Sequence, residues 1–292
     1  MTRPAAAAAP LVSFIVPTFD SQAHLANALQ SLADQTCRDF EVVLSDGASL
    51  DDTVLIAQGF AQALPSLTID SQPDKGVYDA INRGIGHARG DWVLVLGSDD
   101  RLHAPDTLAT LASTLRASAA VVVYGDVIVT GPSQLGVPVG GRYAGPMSLE
   151  RLLLGNVCQQ AIFYRRSLFA ELGGFNLRYR VWADWDFNLR AAFRAPLQWV
   201  DVVVSDYSTS GMSSTSSDSV FGEELPELVR CELASRPYDR RLWPLQRCLR
   251  RQAKELRRRG LWRAALRHWA TYAALTAKRV LAGKRQTVAG LR

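Results

Sequence analysis

The first 130 residues alternate short apolar runs with segments of helical periodicity. Runs rich in Val, Ile, Leu and Phe predict strands at 11–16, 40–47, 67–70, 92–96 and 120–129. Between them, apolar residues recur at helical spacing, which predicts helices over 22–34, 52–63, 77–88 and 107–117. Strands that are apolar throughout and separated by helices are typical of a mostly parallel sheet with helices on both faces. We therefore expect an α/β fold.

The second half of the chain follows a less regular pattern. A strand and a helix are predicted within 155–175, a helix over 183–193 and a strand over 197–208. A Ser-rich segment follows at 208–219, and helical periodicity returns over 221–235 and 243–282. A chain of 292 residues has room for one large domain or two smaller ones. We predict boundaries near residues 130 and 215.

Aspartates follow the predicted strands of the first half. Asp46 follows the second strand, Asp74 lies in the loop after the third, and the adjacent Asp99 and Asp100 follow the fourth. Ligands of parallel α/β sheets bind at the carboxyl ends of the strands. We therefore expect these carboxylates to border one crevice. A single Asp is also common in turns, which leaves both interpretations open for Asp46.

The adjacent Asp99 and Asp100 repel each other unless a cation relieves the repulsion. Mg²⁺ and Mn²⁺ prefer carboxylate and phosphate oxygens, and with so few protein ligands nearby a diphosphate and water would complete the coordination. This pattern favours a nucleoside-diphosphate substrate. The chain has no GxxxxGK[ST] motif, and no GxGxxG motif follows the first strand. Lys75 and Arg83 are therefore candidate phosphate contacts.

Five motifs occur along the chain: PTFD at 17–20, SDGASLDDT at 45–53, PDKGVYDAINRGI at 73–85, GSDD at 97–100 and ADWDFNLR at 183–190. In this order they resemble the family 2 glycosyltransferases, over about residues 11–212. The resemblance implies the Rossmann-like GT-A fold and an inverting, metal-dependent reaction. It also implies a nucleotide-diphosphate donor, with UDP-sugars favoured, and a hydroxyl of a glycan or lipid-linked glycan as acceptor. The third motif is most similar to bacterial enzymes of exopolysaccharide and O-antigen synthesis.

The resemblance implies a role for each matching residue. Asp184 would be the catalytic base, Asp100 the ligand of Mg²⁺ or Mn²⁺, and Asp99 a contact of the ribose or donor sugar. Asp46 would accept a hydrogen bond from the nucleotide base. The other nucleotide or donor contacts would be Pro17, Thr18, Asp20, Asp74, Lys75 and Arg83. The acceptor side would include Gln159, Gln160 and Trp185, and a loop at Gly211, Met212 and Ser213 would lie near the diphosphate.

Three positions depart from the family pattern. Gly97 replaces a frequent Asp or Asn, Gln159 replaces a His, and Ala183 replaces a Glu before Asp184. The change at Gly97 removes one candidate sugar or ribose contact, and Gln159 is not a proton carrier. By the family pattern, residues 1–130 would bind the nucleotide-sugar. Residues 131–215 would bind the acceptor and carry the base, and residues 216–292 would form a basic helical tail.

Charge is divided unevenly along the chain. Residues 236–292 contain 17 Lys and Arg against two acids, a net charge of +15, whereas the preceding 235 residues carry −10. Residues 240–281 interleave Arg with Leu and Trp, a pattern typical of a basic amphipathic helix that binds an anionic membrane surface. A helical hairpin packed on the catalytic domain is the alternative. The four cysteines form no CxxC pair, which favours a cytoplasmic location, either free or on the inner face of the plasma membrane.

Two other functions fit parts of the sequence. A nucleotidyltransferase that makes an activated sugar would share the α/β fold and the paired acids. It would need a Gly-rich basic loop after the first strand, which PTFDSQA at 17–23 does not provide. The basic tail is also compatible with a nucleic-acid-binding protein. The acidic body argues against that class, and no nucleic acid is expected as a partner.

Overall fold

The computed structural model describes residues 9–133, 135–209 and 218–289, with side chains up to residue 279. The chain divides into two compact units, Met1–Asp218 and Ser219–Arg292. Within the described residues, the first unit contains a nine-stranded sheet. The division near residue 130, between a nucleotide-sugar part and an acceptor part, stays a prediction.

Most strands of the first unit are the apolar runs of the sequence. The strands are β1 (Val12–Thr18), β2 (Phe40–Asp46), β3 (Leu67–Ser71), β4 (Trp92–Val95), β5 (Arg101–Leu102), β6 (Val122–Val129), β7 (Arg142–Tyr143), β8 (Ile162–Arg165) and β9 (Gln198–Tyr207). The helices are α1 (Leu25–Ala33), α2 (Thr53–Gly59), α3 (Val77–His87), α4 (Thr107–Ala117), α5 (Leu149–Leu152), α6 (Arg166–Leu172) and α7 (Ala183–Arg194). The predicted α/β fold with helices around a central sheet is confirmed.

Strands β1 to β4 form a parallel half of the sheet. β1 pairs with β2 on one side and with β4 on the other, and β3 extends the sheet beyond β2. Every residue of β1, β2 and β4 is buried. Burial on both faces explains why these strands are continuous apolar runs instead of alternating patterns. Leucines of two helices complete the same core: Leu25, Leu29 and Leu32 of α1, and Leu108, Leu111 and Leu115 of α4.

The other half of the sheet is mixed. β4 pairs antiparallel with β8, β8 pairs antiparallel with β6, and β6 pairs parallel with β9. The short strands β5 and β7 add antiparallel pairs to β9 and β6. The order across the sheet is β3-β2-β1-β4-β8-β6-β9-β5. Among themselves, the first four strands pair only in parallel. The apolar pattern does not distinguish the two halves of the sheet, because an apolar run predicts a strand but not its direction or its distant partner.

Close packing of α3 on the sheet positions one wall of the candidate site. Gly84 of α3 faces β1, and a Cβ atom at this position would lie 2.6 Å from Cγ2 of Ile15. The absence of a side chain allows the helix to approach the strand this closely. As a result, Tyr78 in the first turn of α3 lies on the same cavity as Pro17 of β1.

The second unit is helical in its described residues. It contains α8 (Ser219–Ser235), a 3₁₀ helix (Arg240–Leu245), α9 (Gln246–Arg258) and α10 (Trp262–Ala289). The predicted helical structure over 243–282 is confirmed, but it is interrupted, because Gly260 adopts a φ of +75° after the end of α9. No helix of the described residues is long and apolar enough to cross a membrane.

Candidate active site

A cavity of about 590 Å³ lies at the carboxyl ends of β1 and β4. Its walls come from β1, from the turn after β4, from residues 154–160 and from the start of α7. Seven residues predicted from the sequence line it: Pro17, Asp99, Asp100, Gln159, Gln160, Asp184 and Trp185. The predicted metal ligand, base and acceptor-side residues therefore meet in one cavity. Thr18, Asp20, Asp46, Asp74, Lys75 and Arg83 do not line this cavity.

The carboxylates of Asp99 and Asp100 converge beside Gly97. A Cβ atom on Gly97 would lie 2.6 Å from Oδ2 of Asp100 and 3.0 Å from Oδ1 of Asp99. A side chain at this position would force the Asp100 carboxylate to shift and would crowd that of Asp99. The departure from the family pattern at Gly97 therefore leaves space at the point where the two acidic groups approach each other.

Asp100 is buried and held by two hydrogen bonds. Its Oδ1 accepts from the backbone N–H of Ser208 at 2.7 Å, and its Oδ2 accepts from Nε2 of Gln160 at 3.1 Å. Burial and the negative charge of Asp99 raise the pKa of Asp100 to about 8. The chain alone thus stabilises the ionised form of Asp100 poorly, and a bound cation would provide the missing stabilisation.

The acid pair fits a divalent cation that binds together with a phosphate ligand. The carboxylates of Asp99 and Asp100 are hard oxygen donors, the type that Mg²⁺ and Mn²⁺ prefer. In the part of the chain that the structure describes, no group of three or more His, Cys, Asp or Glu side chains is arranged to hold a metal ion. Phosphate and water oxygens would have to complete the coordination.

Asp184 lies in the first turn of α7 and is 9% exposed. Its Oδ1 lies 2.9 Å from the hydroxyl of Tyr78, and its Oδ2 accepts a 2.7 Å hydrogen bond from Nδ2 of Asn156. Burial raises the pKa of Asp184 to about 6, and the hydrogen bonds from Tyr78 and Asn156 limit the rise. A carboxylate with this pKa is ionised at neutral pH and still accepts a proton readily.

The hydroxyl of Tyr78 contacts two oxygens but has one proton. It lies 2.5 Å from the backbone carbonyl oxygen of Val181 and 2.9 Å from Oδ1 of Asp184. When Asp184 is ionised, it accepts the proton of Tyr78. When Asp184 is protonated, it can donate to the oxygen of Tyr78, which then donates to Val181. Tyr78 therefore has a compatible hydrogen-bond arrangement for both protonation states of Asp184.

A chain of buried side chains orients Asn156. The hydroxyl of Tyr164 donates to Oδ1 of Asn188 at 2.8 Å, and Nδ2 of Asn188 donates to Oδ1 of Asn156 at 2.8 Å. Nδ2 of Asn156 is thereby directed at Asp184. No local sequence pattern connects Asp184 with Tyr78, from which it is separated by 106 positions, or with Asn156. Both partners of the predicted base were found only in the structure.

Hydroxyl groups surround Asp46 at the ends of β1, β2 and β3. Oδ1 accepts from the hydroxyls of Thr18 at 2.9 Å and Ser49 at 2.5 Å. Oδ2 accepts from the Ser71 hydroxyl at 2.7 Å and the Ser49 N–H at 2.9 Å. Burial alone would raise the pKa of Asp46, but these hydrogen bonds hold it below the ordinary value. A hydrogen bond from a nucleotide base to Asp46 would have to replace one of them.

Arg83 is held at the same edge of the sheet. Its guanidinium donates to the backbone carbonyls of Gln72 and Asp46, each at 2.9 Å, and lies 3.2 Å from Oδ2 of Asp70. These contacts tie α3 to the ends of β2 and β3. The contact of Arg83 with phosphate stays a prediction.

Three other predicted donor contacts lie at loops near this edge. Asp20 and Lys75 are exposed, and Asp74 is half-buried. Asp20 accepts a 3.0 Å hydrogen bond from a backbone N–H of the loop before α2, and Asp74 accepts a 2.8 Å bond from the N–H of Gly76. The predicted loop at 211–213 lies outside the described residues.

Gln159 and Gln160 both lie on the cavity wall, but they differ in hydrogen bonding. Gln160 is buried and donates to Asp100. Nε2 of Gln159 is also buried, but it has no hydrogen-bond partner among the residues described. A buried amide without a partner is costly, so this group is suited to a ligand that accepts a hydrogen bond.

Aromatic side chains and one cation complete the wall near Asp184. Trp185 donates from Nε1 to the carbonyl oxygen of Leu152 at 2.6 Å, and its ring meets that of Trp182 edge-on, 5.5 Å between centroids. Arg180 also lines the cavity and is the only Lys or Arg among its described lining residues. No sequence motif had pointed to Arg180.

Solved glycosyltransferases share this fold. Residues 1–349 of TarS from S. aureus, in complex with UDP-GlcNAc, match with a TM-score of 0.61 and 24% identity, over 78% of this chain and 66% of that chain. The mannosyltransferase PcManGT from Pyrobaculum calidifontis, in complex with GDP-Man and Mn²⁺, matches with a TM-score of 0.54 and 20% identity, over 98% of this chain and 81% of that chain. The chain has the predicted GT-A glycosyltransferase fold.

Sequence relatives narrow the class to a family. The family model described as glycosyl transferase family 2 matches residues 13–173. A PGL/p-HBAD biosynthesis glycosyltransferase of Mycobacterium bovis (strain BCG / Pasteur 1173P2) is 46% identical over 229 residues, which are 76% of this chain and 87% of that protein. An uncharacterised glycosyltransferase of Mycobacterium tuberculosis is 33% identical over 222 residues, 74% of this chain and 82% of that protein. The chain belongs to glycosyl transferase family 2, as its motifs predicted.

Proposed function

We propose that the chain is an inverting glycosyltransferase that depends on Mg²⁺ or Mn²⁺. It transfers a sugar from a nucleoside-diphosphate donor, with UDP as the favoured nucleotide, to a hydroxyl of a glycan or lipid-linked glycan. The complexes of TarS with UDP-GlcNAc and of PcManGT with GDP-Man support this donor class. The name of the relative from M. bovis, which refers to PGL/p-HBAD biosynthesis, supports a biosynthetic role. The free cysteines support a reducing, cytoplasmic location.

The observation that carries the proposal is that Asp100 and Asp184 line one cavity. Asp100 and its neighbour Asp99 suit a cation and a diphosphate, and Asp184 has a pKa of about 6. An inverting transfer requires the leaving group and the attacking hydroxyl to be held together around one anomeric carbon. A single cavity with an acid pair and a separate base meets this requirement.

Asp184 is the general base in this proposal. Its carboxylate takes the proton of the acceptor hydroxyl while the hydroxyl oxygen forms a bond to the anomeric carbon. The bond from that carbon to the diphosphate oxygen breaks, and its electron pair leaves with the nucleoside diphosphate. Protonated Asp184 then donates to Tyr78, which donates to Val181, while Asn156 keeps the carboxyl group in place.

The donor side is formed by the acid pair and the ends of the first strands. Asp100 would hold the metal ion, which when bound supplies Lewis-acid stabilisation of the leaving diphosphate. Asp99 contacts the ribose or the donor sugar. Arg180 adds a positive charge to a wall that carries three carboxylates, and so favours a phosphate ligand. The nucleotide contacts are Pro17, Thr18, Asp20, Asp46, Asp74, Lys75 and Arg83.

The acceptor side is formed by Gln159, Gln160 and Trp185. The buried Nε2 of Gln159 donates a hydrogen bond to a sugar hydroxyl and thereby gains the partner that the chain lacks. The indole rings of Trp185 and its neighbour Trp182 supply apolar faces on which a sugar ring can stack. Gln160 positions Asp100 through its hydrogen bond and so links the acceptor side to the donor side.

Product analysis tests this proposal directly. The full chain is incubated with a panel of UDP-, dTDP- and GDP-sugars, Mn²⁺ and glycan or glycolipid acceptors, and release of the nucleoside diphosphate is followed. We expect turnover with one donor, its loss in EDTA and its recovery with Mn²⁺. NMR of the product should show an inverted anomeric configuration. Retained configuration would contradict the mechanism, and full turnover in EDTA would contradict the role of Asp100.

Ligand-dependent stability separates the classes that the sequence left open. A nucleoside diphosphate should raise the melting temperature only when Mn²⁺ or Mg²⁺ is present, because ligands that bind the folded state stabilise it. An oligonucleotide should have no such effect. The family match favours the glycosyltransferase over the nucleotidyltransferase and the nucleic-acid-binding protein.

A further inference from the structure

Helix α10 exposes a continuous apolar face. Its solvent-exposed positions Trp262, Leu266, Ala270, Ala273 and Ala277 fall within about 80° of one another around the helix, at 100° per residue. We call these five residues the apolar stripe. Trp262 is 60% exposed and Leu266 is 66% exposed, which is unusual for side chains of this size. The stripe extends about 22 Å along the helix, at 1.5 Å per residue.

The apolar stripe is not the face by which α10 packs in its own unit. Ala265, His268 and Leu275 lie on another side of the helix and are buried. Nε2 of His268 contacts the backbone carbonyl oxygen of Pro226 in α8 at 2.9 Å. The helix therefore has two apolar faces, and only one of them is used inside the second unit.

Basic residues border the apolar stripe. Arg263 and Arg267 are exposed on the adjoining side of α10. The end of α9 and the turn after it expose Arg257, Arg258 and Arg259, followed by Leu261, which is 46% exposed. The nearby acid Glu255 is paired with Arg258 at 3.6 Å. Exposed apolar side chains are thus surrounded by an excess of positive charge.

We propose that the apolar stripe and the arginines beside it dock the protein on an anionic phospholipid bilayer. A helix with an apolar face flanked by Arg and with a Trp at its end lies in the plane of a membrane interface, where apolar side chains enter the acyl boundary and Arg contacts lipid phosphates. The net charge of +15 over residues 236–292 matches an anionic surface. A nucleic acid would use the arginines but would gain nothing from the exposed Leu and Ala positions.

Membrane docking is independent of the transfer reaction, and it would bring the catalytic unit to the same surface as a lipid-linked acceptor. Each basic residue near an anionic surface strengthens binding by about fivefold. The arginines at 257–259, 263 and 267 therefore make binding steeply dependent on salt and on lipid charge.

Liposome flotation with the full chain tests the proposal. We expect the protein to float with vesicles that contain phosphatidylglycerol at low salt and to stay in the bottom fraction with pure phosphatidylcholine. The partition coefficient of the double variant W262E/L266E onto these vesicles should be at least about tenfold lower than that of the wild type, because the variant places two charges on the apolar stripe. The matched control is L55E, which changes an exposed leucine of α2 (65% exposed) in the first unit and should float like the wild type.

The alternative occupants give distinct results. If the wild type stays in the bottom fraction with phosphatidylglycerol vesicles, or if W262E/L266E floats as well as L55E, the proposal is overturned. A concentration-dependent dimer in light scattering that W262E/L266E abolishes would also overturn it, in favour of a second copy of the chain. Circular dichroism and metal-dependent nucleotide binding establish that each variant is folded. The proposed nucleotide contacts are in the first unit, and none of them belongs to the apolar stripe.

Discussion

Two buried carboxylates of the first unit, Asp46 and Asp184, have opposite electrostatic environments. Asp46 accepts four hydrogen bonds from Thr18, Ser49 and Ser71, and its pKa is held below the ordinary value despite burial. Asp184 accepts from the side chains of Tyr78 and Asn156 and from the backbone N–H groups of residues 184 and 185, but burial still raises its pKa to about 6. Burial acts to raise the pKa of both carboxylates, but at Asp46 the hydrogen bonds outweigh it, whereas at Asp184 burial outweighs the hydrogen bonds.

The difference separates a carboxylate that stabilises the fold from one that is suited to chemistry. The charge of Asp46 is satisfied by the chain, so the ionised form contributes to stability and has little tendency to take a proton. The charge of Asp184 is only partly satisfied, so its ionisation opposes folding at neutral pH and leaves a base available. Five experiments test this contrast, and they begin with the largest effect.

Removing the charge of Asp184 should cost the most activity. We expect D184N to lower kcat by about a thousandfold, because general base catalysis is typically worth 10²- to 10⁴-fold. Nucleoside-diphosphate release under saturating donor and acceptor measures the effect. The binding of the donor, measured by the nucleotide-dependent thermal shift with Mn²⁺, should change little. A D184N enzyme with more than a tenth of the wild-type kcat would show that Asp184 is not the base.

Removing the predicted metal ligand should have the next largest effect. We expect D100A to lower turnover by at least about a hundredfold with Mn²⁺ present, as loss of one strong transition-state electrostatic contact does. In contrast to D184N, this variant should also lose the metal-dependent part of the thermal shift by nucleotide. Wild-type turnover in D100A would refute the assignment.

At Asp46 the effect should fall on stability. We expect D46N to lower the free energy of unfolding at pH 7 by about 2 kcal/mol or more, because an amide nitrogen cannot accept and would leave two donors without this partner, either the hydroxyls of Thr18 and Ser49 or the Ser71 hydroxyl and the Ser49 N–H. Urea denaturation measures the change. Asp34 is an exposed aspartate with one side-chain partner, Gln30, and D34N should stay within about 0.5 kcal/mol of the wild type.

The stability effect at Asp184 should have the opposite sign. The pKa of Asp184 in the folded state, about 6, lies above its ordinary value, so the cost of ionising it appears as pH rises from about 4 and is complete above about 6. The asparagine of D184N can accept from Asn156 and donate to Tyr78. We expect D184N to be more stable than the wild type by on the order of 1–3 kcal/mol at pH 8 and equal to it at pH 4. Equal destabilisation at both pH values would contradict the contrast.

The smallest expected effect concerns the partner of the base. With saturating Mn²⁺, which would keep Asp100 ionised, the acidic limb of the pH profile of kcat/KM should follow Asp184 and lie near pH 6. Y78F loses a hydrogen bond that lowers the pKa of Asp184, so the limb should move upward by less than about one pH unit. Cys158 and Tyr164, two titratable groups near Asp184, stay neutral because burial raises the pKa of each.

Tyr143 provides the matched control for Y78F. It also lines the cavity, but its hydroxyl donates to the carbonyl oxygen of Asn156 at 2.8 Å and not to Asp184. Y143F should therefore leave the acidic limb in place. A limb that stays at the wild-type position in Y78F, or that moves equally in Y143F, would show that Tyr78 does not act through the ionisation of Asp184.

Much of the fold was predictable from local pattern. The apolar runs place β1, β2, β3 and β4 within two residues of their observed ends. For β1, β2 and β4 the reason is that strands buried on both faces need continuous apolar sequence. The order and direction of β6, β8 and β9 were not predictable, since they depend on pairing between segments far apart in the chain. Gly260, where the helical tail is interrupted, is visible in the sequence, but the predicted helical segment over 243–282 did not take it into account.

The candidate site was predictable in its acid pair, base and acceptor-side residues, but not in its other members or its electrostatics. The motifs placed Asp99, Asp100 and Asp184 together, and the cavity contains all three. The environment of Asp46 depends on the register in which Thr18 and Ser71 pair beside it. Register between strands is set by the whole sheet, so a sequence with the same motif gives no sign that four donors will surround this carboxylate.

Helix α3 has a further consequence, because it contacts both Asp46 and Asp184. Arg83 contacts the backbone of Asp46 and Tyr78 contacts Asp184, and the two residues are five positions, or about 7.5 Å of helix rise, apart. Next to Arg83, Gly84 packs so closely on Ile15 of β1 that a Cβ atom at position 84 would lie 2.6 Å from Cγ2 of Ile15. The proposed nucleotide contact and the proposed base are thus linked through one helix, and a methyl group at position 84 would shift the contacts of α3 with both.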